Sequence, residues 1–158
     1  MRNAIVDWIH TLMVPQERLS GLPICPYAKQ SHSNKTYKII ETNYENVAAD
    51  VEACDMAEYQ VVVLYYMDYL QYEVSNLIDK TRELNQLYNE KDIVVLDSDP
   101  RDPLILDGVL TTFTGCYLWI VQSLSDLTEK SNQLRKTKYY SHWTQEQLDA
   151  VVTWRQKA

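Results

Sequence analysis

Glycine, cysteine and phenylalanine are all scarce here: three, three and one among 158 residues. With so little glycine and 46% hydrophobic residues, the chain reads as a compact folded protein rather than a disordered one. No glycine-rich phosphate loop occurs, which excludes the common nucleotide-binding signatures. Cys25, Cys54 and Cys116 are too few and too scattered for a disulfide framework, and no Cys-x-x-Cys pair is present for zinc or dithiol chemistry. Reduced thiols in a reducing compartment are expected. No apolar run approaches the roughly 20 residues that cross a bilayer, so no membrane span is expected. Met1 to Leu12 lacks the order of a secretory signal, and a cytoplasmic location is the expectation.

Positive charge is also short. The formal net charge is −7, which argues against general nucleic-acid binding because phosphate neutralisation needs clustered lysine and arginine. The imbalance is local: six acidic residues fall between Glu90 and Asp107, whereas Lys130, Arg135, Lys136 and Lys138 lean the other way. Most of this reads as solvated surface, with a basic C-terminal contact to an acidic or phosphorylated partner as the alternative.

The length fits one domain. Ala4, Ile5, Trp8, Ile9 and Leu12 recur at helical spacing until Pro15. Tyr37 to Thr42 reads as a strand, Asn43 to about Cys54 as a helix, and Tyr59 to Met67 as a central strand covered on both faces. A helical stripe runs from Val74 to Tyr88, ended by Asn89 to Lys91, and Ile93 to Leu96 follows as a third strand. This alternation predicts an α/β fold: a small three-stranded, mostly parallel sheet flanked by helices. Asp97 to Gly108, with two prolines and four aspartates, reads as an exposed loop. From Phe113 the spacing predicts a long helix to about Thr137 and a helical C-terminal region. The competing reading makes Tyr117 to Val121 a fourth strand before a helix capped by Ser125, in a ferredoxin-like α+β sandwich. Thr144 and Gln147 have capping-box spacing and start the last helix, which buries Leu148, Val151, Val152 and Trp154.

The segment Gly21 to Lys29 carries the strongest chemical signal. Pro23 and Pro26 stiffen the backbone around Cys25, and Pro26 suits a first helical position. Cys25 would then cap a helix whose dipole favours a thiolate. The candidate chemical residues are Cys25 as nucleophile or thiol-exchange donor, Tyr27 beside it, Lys29 as an activating cation and His32 as a base. A buried, unreactive Cys25 in a shaped connector is the plainer reading. Parallel sheets bind ligands beyond the carboxyl ends of their strands, here marked by Asn43, Asp68, Asp97 and Asp99. Asp68, Asp97 and Asp99 are candidate ligands for magnesium or calcium, with helix capping as the alternative role. Twelve tyrosines, among them Tyr65, Tyr66, Tyr69 and Tyr72 near that rim, suit a pocket wall or an interface.

These motifs carry two resemblances. The Gly21 to Lys29 segment after a tryptophan-bearing helix, the Asp97 to Pro103 loop and the run Leu134 to Tyr140 resemble a family of small uncharacterised bacterial and marine-phage proteins. That family shares an N-terminal Cys-Pro-aromatic-Ala segment. The resemblance implies no established reaction and points to a cytoplasmic, bacterial or viral setting. Cys25 to Ala28 also resembles the active-site turn of glutaredoxins. Ala28 stands where their resolving cysteine would be, a helix rather than a strand precedes the turn, and no proline lies between residues 27 and 99 to face the sulfur. Two functions follow as expectations. One is a small enzyme or ligand-binding protein, acting on a small molecule at a site around Cys25 and the Asp97 to Asp102 loop. The other is an interaction module that binds a protein partner through a tyrosine-rich or acidic surface. The residues name no cofactor and no oligomeric state.

Overall fold

A computed structural model describes residues 1–157. The first helix, α1 (Arg2–Met13), ends before Pro15, and a two-residue ribbon then pairs Pro15–Gln16 with Leu22–Pro23. After a short helix, α2 (Ala28–Ser33), come β1 (Tyr37–Glu41), α3 (Val47–Glu52) and β2 (Val61–Tyr66). The chain continues through α4 (Val74–Tyr88), β3 (Ile93–Ser98), β4 (Tyr117–Ser123), α5 (Leu124–Leu134) and α6 (Gln145–Leu148). A π-helical segment, Asp149–Thr153, extends α6.

The sheet has four strands in the order β1-β2-β4-β3. β1 and β2 are parallel, whereas β4 runs antiparallel to both β2 and β3. The three-stranded, mostly parallel sheet expected above is thus a four-stranded mixed one: β1, β2 and β3 share a direction and β4 is inserted between the last two. The ferredoxin-like alternative had the right fourth strand but the wrong sheet, since its strands do not follow this order. The predicted long helix from Phe113 is corrected as well. In Tyr117–Ser123, Tyr117, Trp119 and Val121 pack with α3 and α4, while Leu118 and Ile120 face α1. A strand that is apolar on both faces loses its period of two. The helix begins only at Leu124, capped by Ser123, whose Oγ accepts the Asp126 N–H at 3.2 Å, rather than by Ser125.

Smaller corrections have local causes. The helix expected from Asn43 starts at Val47, because Asn43 uses its side-chain oxygen to accept the Asn46 N–H in a turn. The stretch Asp97–Gly108 is not simply exposed. β3 continues to Ser98, Asp99 and Leu106 are buried, and Ile105–Leu106 pairs with Val109–Leu110 around Asp107 and Gly108. Both turn residues have positive φ, 48° and 80°, as a two-residue hairpin demands. His142 ties this hairpin to the first ribbon, contacting Asp107 Oδ2 at 3.1 Å and Ser20 Oγ at 2.8 Å.

α3 and α4 cover one face of the sheet around Trp119, Leu64 and Leu84. Its polar atoms are chained: Trp119 Nε1 donates to Thr81 Oγ1 at 3.0 Å, and Tyr117 Oη donates to Asp97 Oδ2 at 3.0 Å. α1 covers part of the other face through Ile5 and Ile9, against Ile39, Val63 and Cys116. Cys116 is wholly buried, and burial pushes its thiol up to about 11 despite a hydrogen bond from the Tyr66 backbone. The folded chain holds that proton more tightly than the unfolded one. The resulting stabilisation is complete below the unfolded thiol value of about 8.5 and is lost as pH rises through about 11. Urea denaturation of the wild type should therefore weaken above pH 8.5, and the pH-dependent part should be about 2–3 kcal/mol smaller in Cys116→Ala. Parallel curves for the two proteins would contradict this.

Candidate functional site

Cys25 sits in a turn fixed from three sides. Its N–H donates to Leu12 O at 2.9 Å, its own carbonyl accepts the Ala28 N–H at 3.2 Å, and Tyr139 Oη donates to Ile24 O at 2.5 Å. Tyr27 reaches α5, where its hydroxyl lies 3.1 Å from Gln133 Oε1 and 3.4 Å from Lys130 O. The prolines stiffen this turn as expected, but Cys25 is not the helix cap. The turn closing on Ala28 delays the helix, and Tyr27 occupies the capping position. A glutaredoxin-like context is absent too, because a short ribbon and not a strand of the main sheet leads into the turn.

The residue is half-buried, and its sulfur is crowded enough that burial raises the thiol above its ordinary value. The Tyr27 and Ala28 backbone N–H groups and the charge of Lys130 pull the other way without overcoming it. At neutral pH the group is a thiol, not the activated thiolate expected from a helix cap. Lys29 is exposed, and among the described residues its side chain makes no hydrogen bond; the cation that acts on the sulfur is Lys130, on α5. Its Nζ lies 2.6 Å from Asp126 Oδ2 and 5.2 Å from the Tyr27 ring centre. His32 contacts His10, 3.2 Å between the two Nε2 atoms, and not Cys25.

The three candidate metal ligands are not brought together, and among the described residues no group of three His, Cys, Asp or Glu side chains is placed to hold an ion. Insertion of β4 puts two strand spacings, roughly 10 Å, between the ends of β2 and β3. Asp68 lies with Glu41, Asn43 and Asp50 in a small polar pocket at the β1 and β2 ends. Asp97 is exposed, accepts from Tyr117, and has its carboxyl raised by partial desolvation and by Asp99 and Asp102. Asp99 is committed to Arg101, which grips it through Nε at 3.0 Å and Nη2 at 2.8 Å. The tyrosines near this rim are committed as well: Tyr66 stacks on Trp119, Tyr72 on Tyr44, and Tyr65 donates to Glu41.

One cavity of about 800 Å³ nevertheless joins the Cys25 turn to the loop after β3. Val63, Ile120 and Gln122 of the sheet form its floor, Trp8 and Ile9 of α1 and Leu127 and Leu134 of α5 its cover. Cys25, Tyr27 and His32 line it in one region, Leu96, Asp97, Asp99 and Asp102 in another. Ile120 and Gln122 remain half-buried although β4 is an interior strand, because α1 shields only part of this face. Sequence reasoning missed Tyr139, Trp143 and Arg155 on the cavity wall. Nothing in their local spacing separates them from ordinary helix-face residues. Comparisons with family models, curated proteins and solved structures gave no match.

Proposed function

We propose that this protein binds a small, largely apolar molecule in the cavity between the sheet and its α1 and α5 cover, with Cys25 and Tyr27 in the wall. The observation that carries this reading is the cavity itself. Its volume of about 800 Å³ falls within the roughly 300–1,000 Å³ of small-molecule sites, and aliphatic and aromatic side chains make up most of its wall, with polar and charged groups making up the remainder. A protonated Cys25 suits a wall position better than nucleophilic catalysis. The neutral dye Nile red should bind the wild type with increased fluorescence. Ile120→Trp, which builds an indole into the cavity from β4, should weaken this at least tenfold, about 1.4 kcal/mol, while keeping the fold by circular dichroism. Equal dye binding by the two proteins, or none by the wild type, would count against a ligand cavity.

The second reading, a protein-interaction surface, is favoured by one observation: Leu70 is 70% exposed and Met67 42% on the segment after β2. Most of the surrounding tyrosines are engaged within the chain, which leaves these two side chains as the apolar part of such a surface.

A further inference from the structure

Among the described residues, Arg155 is the one arginine whose charge the fold both buries and leaves without an acidic partner. It retains only 4% of its surface, and among the described residues no carboxylate forms an ion pair with it. Its Nη1 donates to Val151 O at 3.1 Å and its Nη2 to Ser131 Oγ at 2.6 Å, while Nε has no hydrogen-bond partner. Arg101 shows what the same edge of a guanidinium does when satisfied: Nε and Nη2 together hold both oxygens of Asp99. In Arg155 that edge carries a single serine hydroxyl.

Burying an unpaired cation costs several kcal/mol, so such a group persists where something else compensates it. Arg155 lines the same cavity as Cys25, Tyr27 and Lys130; Lys130, with its side chain only 14% exposed, is already paired with Asp126 and leaves Arg155 as the uncompensated cation of this wall. The π-helical segment Asp149–Thr153 ends two residues before Arg155 and contributes Ala150, Val151 and Val152 to the cavity wall. Such departures from α-helical geometry recur where a helix must aim a functional residue. The protein's net charge of −7 and the Asp97, Asp99, Asp102 and Glu146 carboxyl groups elsewhere in the lining repel anions in general, so an anion would be drawn only to the part of the wall that holds Arg155.

We infer that the cavity takes an amphiphilic anion, an apolar body ending in a carboxylate or phosphate, whose oxyanion is held by Arg155 with Ser131 and Lys130 beside it. This rests on the ligand-cavity reading and adds the chemical class of the ligand. A guanidinium fork matches either oxyanion, and the apolar walls from Leu127, Leu134 and Val152 suit an aliphatic or aromatic body.

The test is titration calorimetry of the full chain with decanoate, decyl phosphate and decanol, each below its aggregation limit, alongside the Nile red assay. At least one anion should bind at least tenfold tighter than decanol, and in Arg155→Met that preference should fall to within about twofold, at about 1.4 kcal/mol per tenfold. The unliganded Arg155→Met protein should melt no lower than the wild type, because an uncompensated buried charge has been replaced by an unbranched apolar side chain that keeps the buried stem. If that variant does not fold, Arg155→Lys, which keeps the charge without the fork, should still lose most of the preference. Equal binding of decanol and both anions, or an anion preference that survives in both variants, overturns the anion site and leaves the cavity reading intact. Failure of all three probes together with Nile red removes the cavity reading itself.

Discussion

Replacing Asn85 by leucine should destabilise the protein by about 3–5 kcal/mol, a large part of the roughly 5–15 kcal/mol that holds a domain of this size. β3 is an edge strand, and its outer backbone groups at Val95 are fully buried. Asn85, on α4, serves them as a substitute strand. Its Oδ1 accepts the Val95 N–H at 2.9 Å, and its Nδ2 donates to Val95 O at 2.8 Å and to Thr81 O at 3.0 Å. Leucine has the same branched heavy-atom skeleton, with bulkier methyl ends, so it refills this 6%-exposed site while the Val95 N–H and C=O lose their partners. Each buried orphan costs about 1–3 kcal/mol, which is why the change is so expensive. Urea denaturation measures the loss, and amide exchange at Val95 locates it. A change below about 1 kcal/mol would show that water reaches this edge, contrary to its burial.

Cys25 should alkylate slowly in the folded protein, with a midpoint above the free-thiol value of about 8.5, and at least tenfold faster in urea at pH 7.4. Cys54 and Cys116, both raised to about 11, are the internal references. Cys116 should be the slowest, since none of its surface reaches solvent. Lys130→Ala should push the Cys25 midpoint higher still, because the lysine charge is what partly offsets burial at the sulfur. A bound ligand should protect Cys25 further, since the residue lines the cavity. A midpoint below 8.5 in the native protein would restore the nucleophile reading and make Lys130, rather than Lys29, its activating cation.

The elements that were legible share one property: their signals are local. α4 matches its periodic stripe from Val74 to Tyr88, and β2 matches its continuous apolar run. The Thr144 capping box is present with Gln147 as its partner. The hairpin at Asp107 and Gly108 was also readable, since an Asp-Gly pair flanked by apolar residues is a turn signal, but the acidic, proline-containing surroundings concealed it. β4 was ambiguous for a physical reason. Its apolar residues continue directly into the helical spacing of α5, and only the neighbours on both faces make the first part a strand.

The candidate site was half legible. The stiff Cys25 turn stood out because two prolines constrain it, and the aspartates after β3 stood out by composition. Which cation acts on the sulfur could not be read, since Lys29 is near Cys25 in sequence whereas Lys130 is near it in space. The local sequence determined where most helices and strands form and where the backbone around Cys25 is rigid, because propensity, capping and proline chemistry act within a few residues. The tertiary structure decided the rest: it inserted β4 between β2 and β3, separated Asp68 from Asp97, left part of the β4 surface uncovered, and buried Arg155 with no acid opposite among the described residues. Strand order and desolvation are sums over residues far apart in the chain, and no local pattern encodes them.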